Sequence, residues 1–287
     1  MKKICFFLLL TGCGFTLKGQ NTLRPNIYFQ NMNYYNAAAG SGDTSAKRNF
    51  AFYAKDKFVS SDNDQIWDKP VNIYLNHIYS PDQKNTFNIS YIYDGYSFYS
   101  RNTLYTGYAR TLRWGKSQKL SIGGRVIFNF DRINWDQLGQ IENKPSSGLH
   151  ITPDFDLGAQ YQWAGLTLGV STKNILANSV KVDGEELIRN WQEQYINASY
   201  TFGLFQQDLR ISPYVLYFRE RNTELDAGLN LMLFKMVDVS YALRILELRS
   251  IYTLRLTLPK RLQVGAAVDH SSIYSDTNVD VLIGYSF

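Results

Sequence analysis

The stretch Asn278-Val279-Asp280-Val281-Leu282-Ile283-Gly284-Tyr285-Ser286-Phe287 decides the reading of the whole chain. Side chains alternate across an extended strand. Val279, Val281, Ile283, Tyr285 and Phe287 therefore share one apolar, aromatic-ended face, and Asp280, Leu282, Gly284 and Ser286 share the other. An outer-membrane barrel closes its sheet with such a strand, facing lipid and ending in the aromatic girdle. The last strand of a soluble β-sandwich is the competing reading of this segment.

Working back from it, the same alternation recurs. In 153–163, Phe155, Leu157, Ala159, Tyr161 and Trp163 alternate with Asp154, Asp156, Gly158, Gln160 and Gln162. In 261–269, Leu262, Val264, Ala266 and Val268 alternate with Arg261, Gln263, Gly265 and Asp269. The pattern predicts strands over 49–58, 71–79, 85–94, 103–114, 119–131, 153–163, 166–173, 195–205, 209–219, 225–234, 237–245, 250–258, 261–269 and 278–287. Strands of about nine to eleven residues cross a bilayer at a tilt. The connections alternate long and short: 59–70, 95–102, 132–152 and 174–194 are long, whereas 80–84, 115–118 and 164–165 are short. Short periplasmic turns and longer extracellular loops are the outer-membrane arrangement. The expected fold is thus an all-β, transmembrane, antiparallel up-and-down β-barrel of about fourteen strands. Lipid cannot satisfy an open sheet edge, so the last strand must pair with the first. Arg125, Asn129, Asp156, Gln160, Asp226 and Asn230 are expected to face inward.

Composition agrees. Hydrophobic residues make up 45% of the 287, yet mean hydropathy is −0.28, and the chain holds 21 Tyr and 17 Phe. Alternation hides transmembrane strands from an average hydropathy, and Tyr suits a boundary with one wet and one apolar side. Of the net charge of +5, Lys2, Lys3 and Lys18 lie in the first nineteen residues. The remainder is near neutral and offers no clustered basic surface for nucleic acid. Residues 1–19 read as a signal peptide, with Lys2 and Lys3 ahead of an apolar run from Ile4 to Leu10 and a cut after Gly19. Leu10-Thr11-Gly12-Cys13 offers a competing lipidation site. Both cysteines, Cys5 and Cys13, fall in this leader. Residues 20–48 form a polar periplasmic N-terminal segment ahead of a barrel over 49–287, with both termini expected on the periplasmic side. Pattern alone leaves open whether that segment plugs the lumen.

Catalytic chemistry is thin. His77, His150 and His270 lie in separate segments without metal-ligand spacing. No G-x-S-x-G, phosphate loop or dinucleotide fingerprint occurs. Asp154 and Asp156 could be paired carboxylates, but two acids on one parity of a barrel strand read as lumen-facing. No catalytic residue, metal or cofactor is therefore expected. The loop 174–194 is more apolar than a solvated loop needs, and Leu176, Leu187, Ile188 and Trp191 make it a partner surface or a lid over the barrel mouth.

Several short motifs resemble the PorP/SprF family of type IX secretion membrane proteins. The family's Asn-Pro-Ala-Tyr-Ala-Gly-Ser segment is similar to Tyr35-Asn36-Ala37-Ala38-Ala39-Gly40-Ser41, where Asn36, Ala39, Gly40 and Ser41 fit and Ala37 and Ala38 replace Pro and Tyr. Pro153-Asp154-Phe155-Asp156-Leu157-Gly158, Ser171-Thr172-Lys173-Asn174-Ile175-Leu176 and the ending Leu282-Ile283-Gly284-Tyr285-Ser286-Phe287 resemble further family segments. The resemblance implies a non-enzymatic outer-membrane barrel that supports export, or surface anchoring, of secreted proteins such as gliding adhesins. Its implied partners are outer-membrane lipid, type IX secretion components and the C-terminal domain of a secreted surface protein. A passive channel for small solutes is the alternative function, and an outer-membrane hydrolase a more remote one.

Overall fold

The computed structural model describes residues 24–28, 32–40, 46–58, 71–96, 99–115, 117–135, 147–182, 185–273 and 277–287. Residues 1–19, where a leader is expected, and Ser41 lie outside them. Among the described residues no helix is long and apolar enough to cross a membrane. The strands are β1 (Arg48–Phe58), β2 (Val71–Tyr79), β3 (Asn85–Tyr96), β4 (Tyr99–Trp114), β5 (Gln118–Ile133), β6 (Gly148–Trp163), β7 (Leu166–Lys173), β8 (Ser179–Val182) and β9 (Glu185–Arg189). There follow β10 (Glu193–Tyr200), β11 (Phe202–Leu204), β12 (Leu209–Arg219), β13 (Thr223–Leu233), β14 (Val237–Arg244), β15 (Arg249–Thr257), β16 (Leu262–Ser271) and β17 (Thr277–Ser286).

Leaving aside the small β8–β9 hairpin and the short β11, fourteen strands form one antiparallel wall in sequence order. β10 pairs with β12, and β17 pairs with β1 from Asn49↔Ser286 to Phe58↔Thr277, so no edge remains open. The expected closure is met. Alternation sorts the side chains as predicted: Phe52, Leu75, Ile122, Phe155, Val170, Leu254 and Ile283 are exposed outside, and Arg125, Asn129, Asp156, Gln160 and Asn230 are buried inside. Of the closing strand, Val281, Ile283, Tyr285 and Phe287 are exposed, and Asp280, Leu282 and Ser286 are buried. Phe287 stacks near Phe50, which lies flat on His77 with centroids 4.1 Å apart. His77 is a girdle residue.

Two expectations need correction. Residues 95–102 are not a long loop: β3 and β4 pair out to Tyr96↔Tyr99. β4, β5 and β6 each run 16 residues, well past the nine to eleven that cross a bilayer. Beyond the membrane no apolar outer face is required, so Ser100-Arg101-Asn102 carries no alternation although it is strand. Arg101 binds Asp131 there at 2.6 Å. The second correction is 195–205, which is broken at Thr201. β7 begins at Leu166, so β11 has only β12 beside it.

One rim carries the start of β1, the end of β17 and the shorter turns; the other carries the longer loops. Two short-rim hairpins turn through Phe234-Lys235 (φ 50° and 59°) and Lys260-Arg261 (φ 65° and 62°). Left-handed pairs of this kind favour Asn-Gly, and each bulkier residue costs about 1–2 kcal/mol there. The wall's backbone pairing absorbs this strain.

Candidate functional site

The described part of the N-terminal segment lies inside the barrel. It starts with Arg24 in the half of the lumen nearer the long loops. A short helix, α1 (Met32–Tyr35), follows near mid-height. The chain then descends to Gly40 beside Thr86 at the short-turn rim, from which it enters β1. The lumen is plugged by the residues that resemble the family's opening motif.

The wall is built to receive this plug. Asn36 Nδ2 donates to the Ala159 carbonyl at 3.0 Å, and Asn36 Oδ1 accepts from the Ala38 amide at 2.9 Å. Asn36 thereby folds its own turn and grips the wall at once. The Ala39 amide closes the turn on the Asn36 carbonyl at 3.0 Å, and Asn33 Nδ2 donates to the Ala39 carbonyl at 2.8 Å. Small residues make the space. A Cβ on Gly123 would sit 2.5 Å from the Ala37 carbonyl oxygen, and one on Gly158 would sit 2.1 Å from Asn36 Oδ1. Ser171 Oγ donates to the Tyr35 carbonyl at 2.6 Å.

Arginine ties the plug at two further points. Arg125 is buried, pairs with Asp156 at 2.6 Å, and donates to the Asn33 and Tyr34 carbonyls at 2.6 and 3.2 Å. A planar guanidinium with five donors suits this bridging of a carboxylate to a chain of carbonyls. Higher up, Arg24 ion-pairs with Glu224 and lies over the Phe218 ring at 3.7 Å. Arg244 joins the same cluster through Asp226 at 2.9 Å and Glu224 at 3.5 Å. On the closing side, the Asn26 amide donates to Tyr53 Oη and to Asp280 Oδ2, both at 3.0 Å. Asn26 Nδ2 binds Asp269, and Lys55 Nζ lies 3.3 Å from Asp269.

Aromatic rings fill the space between these ties. Tyr28 stacks on Tyr214 with centroids 5.0 Å apart. Tyr34 meets Tyr74 edge-on at 5.7 Å, and Tyr35 meets Tyr195 at 5.4 Å. Lys173 Nζ sits 4.0 Å above the Tyr34 ring and 3.5 Å from Glu193. Burial pushes the Tyr34 and Tyr35 phenols well above their ordinary value, so both rings stay neutral. A cavity of about 10 Å³ remains between Arg24, Tyr35, Tyr195 and Arg244, about the space of one water centre.

Sequence reasoning found Tyr35, Asn36, Ala39 and Gly40 as a motif and left open whether their segment plugs the lumen, and it gave no role to Asn26, Asn33, Arg24 or Tyr28. The signal for those four is slight: polar and aromatic residues in a stretch without period. Asp154 and Asp156 do point inward, as the simpler reading has it. Asp156 holds Arg125 and the Asn174 amide (3.0 Å), and Asp154 accepts the Leu176 amide at 2.9 Å. Among the described residues no three metal-binding side chains cluster. The loop residues Leu176, Leu187, Ile188 and Trp191 lie at the long-loop rim, in or beside the β8–β9 hairpin. Ile188 pairs with the buried Val180 across β8–β9, Leu176 and Leu187 are exposed, and Trp191 is flanked by Arg189 and Arg221 at 4.7 and 4.1 Å.

A closed fourteen-stranded wall, apolar outside and plugged by its own N-terminal segment, defines an outer-membrane β-barrel protein. The sequence matches the family described as "Type IX secretion system membrane protein PorP/SprF" over residues 17–285, and the chain belongs to that family. The comparison with curated proteins gives no match. Among solved structures, the chain is similar to the outer membrane protein Omp33 of Acinetobacter baumannii, at 9% identity and a TM-score of 0.50, over 85% of this chain and 100% of that one. It is also similar to a deltaS2S3 mutant of TodX, a monoaromatic hydrocarbon channel, at 9% identity and a TM-score of 0.50, over 93% and 96%. Identities this low speak for the fold alone. Family and fold together mark a secretion or channel component of the outer membrane.

Proposed function

We propose that this chain is a non-enzymatic, plugged barrel of the type IX secretion machinery that supports export or surface anchoring of secreted, adhesin-type proteins, including those of gliding motility. The observation that carries this reading is the family match over nearly the whole chain, with the motif-like Tyr35–Gly40 segment locked into the wall. In this reading the short-turn rim faces the periplasm together with the start of β1 and the end of β17, and residues 1–19 are the leader. The loop 174–194, with Leu176, Leu187, Ile188 and Trp191, then faces outward, where the C-terminal domain of a cargo protein would meet it. A passive solute channel fits a filled lumen less well, because each tie of the plug would have to break for a solute to pass.

The test is deletion of the gene in its host, comparison of surface and medium proteomes, and pull-down of the tagged barrel. Loss of one or a few surface proteins that the barrel also captures is the expected result. Unchanged export with no type IX component captured would overturn the reading. Planar-bilayer recording separates the channel alternative: the intact protein should pass no steady current, and removal of residues 24–40 should open it.

A further inference from the structure

The short-turn rim carries positive charge that few carboxylates face. Arg48, Arg110, Arg113, Lys235, Lys260 and Arg261 are all exposed at or just above it. Among the described residues, none of the six is ion-paired to a carboxylate. Against them stand Asp82 and Asp208. Asp82 already caps its own turn, accepting the Lys84 and Asn85 amides at 2.7 and 2.6 Å. Inside the barrel, by contrast, Arg24, Arg125, Lys173, Arg244, Arg249 and Arg255 each pair with a carboxylate.

These cations alternate with the apolar surface that meets lipid. Arg110 follows Tyr108 and precedes Leu112 on one outward row of β4, and all three are exposed. Arg48 lies over the Tyr79 and Phe287 rings, at 5.2 and 5.6 Å from their centroids. Lys235 shares its turn with Phe234, which is 67% exposed, and the next exposed turn aromatic is Phe205 at 77%. Aromatic rings of a barrel sit at headgroup level, and long basic side chains near them reach to the interface. Two of this rim's left-handed turns carry its cations at their tips. Phe234-Lys235 and Lys260-Arg261 hold bulky side chains at φ values between 50° and 65°, where Asn or Gly would sit without strain.

We propose that this rim is a binding surface for anionic phospholipid headgroups, with the turn cations holding lipid phosphates and the neighbouring rings dipping into the acyl boundary. A lipid headgroup fits better than an acidic protein, because Arg110 lies between the exposed Tyr108 and Leu112 on the apolar outer row of β4. The inference rests on the membrane barrel alone and not on the secretion reading, so the two fail separately.

The test uses the full-length mature protein in nanodiscs of phosphatidylcholine with a quarter phosphatidylglycerol, followed by detergent extraction and native mass spectrometry of retained lipid. The triple variant Lys235→Asn, Lys260→Asn, Arg261→Asn removes three charges while placing a residue suited to left-handed turns, so folding should be kept. Its heat-dependent gel shift checks that. The protein should retain phosphatidylglycerol in preference to phosphatidylcholine, and the variant should lose most of that preference. Equal retention of both lipids by the unmodified protein, or an undiminished preference in the folded variant, would overturn the proposal. So would a variant that keeps its lipid but no longer captures an acidic periplasmic protein in the host. Should the variant not fold, Arg110→Gln, on the wall rather than in a turn, is the second probe and should lower the preference by a smaller factor.

Discussion

The plug and the closing strand both dock on β1, by opposite means. β17 is joined to it by a continuous antiparallel ladder from Asn49↔Ser286 to Phe58↔Thr277. Backbone pairing accepts almost any side chain, provided the apolar ones face lipid. The plug has no ladder. It reaches β1 through the Asn26 amide on Tyr53 Oη, and the rest of the wall through single side chains such as Arg125, Asn36 and Ser171. The wall is therefore tolerant and periodic, whereas the plug depends on individual residues at individual positions. A barrel can keep its form while its lumen is retuned, and a change in the lumen can act on function without unmaking the wall.

The comparison breaks most sharply at Arg125. Arg125→Met leaves Asp156 buried without its guanidinium and frees the Asn33 and Tyr34 carbonyls. Breaking such a buried pair costs about 3–5 kcal/mol, which reversible urea unfolding in lipid micelles should register together with new conductance in planar bilayers. A cost under about 1 kcal/mol would mean that the plug is held elsewhere. On the wall side, Val281→Arg puts a charge on the lipid face in the middle of β17. It should cost about 2–4 kcal/mol in the same titration and leave the folded remainder non-conducting. Current from this variant would show that wall and plug are coupled.

Asn36→Ala removes one hydrogen bond within the plug turn and one from the plug to the wall, a loss of about 1–3 kcal/mol. Most of that should appear as plug release, read as faster labelling of a cysteine placed at Gly40, with the barrel's gel shift unchanged. Phe287→Ala removes the ring beside Phe50 and Tyr285 and should cost about 0.5–1.5 kcal/mol. It should slow assembly into vesicles more than it lowers final stability, and an equal effect on plug labelling would contradict the division drawn here.

Sequence reading was strong where period governs. Strands whose outer face meets lipid, such as 153–163 and 261–269, were visible because every second residue must be apolar. It failed at 99–102, where strand continues past the bilayer and that demand lapses. In the candidate site it found Tyr35, Asn36, Ala39 and Gly40 only through family resemblance, since the plug over residues 24–40 has no repeat to detect. Gly123 and Gly158 read as ordinary inward residues. Only their approach to Ala37 and Asn36 shows that they hollow the wall.

By itself, then, the amino-acid sequence determined an all-β outer-membrane barrel, which face of each strand meets lipid, and the pairing of the last strand with the first. These follow from a period-two pattern and from the need to satisfy every backbone group in lipid. The tertiary structure alone decided that the lumen is filled, by which residues, and that the inward charges pair with one another and with the plug. Those contacts join positions such as 33 with 125 and 26 with 269, and no local pattern in a chain specifies which distant side chains will share a low-dielectric interior.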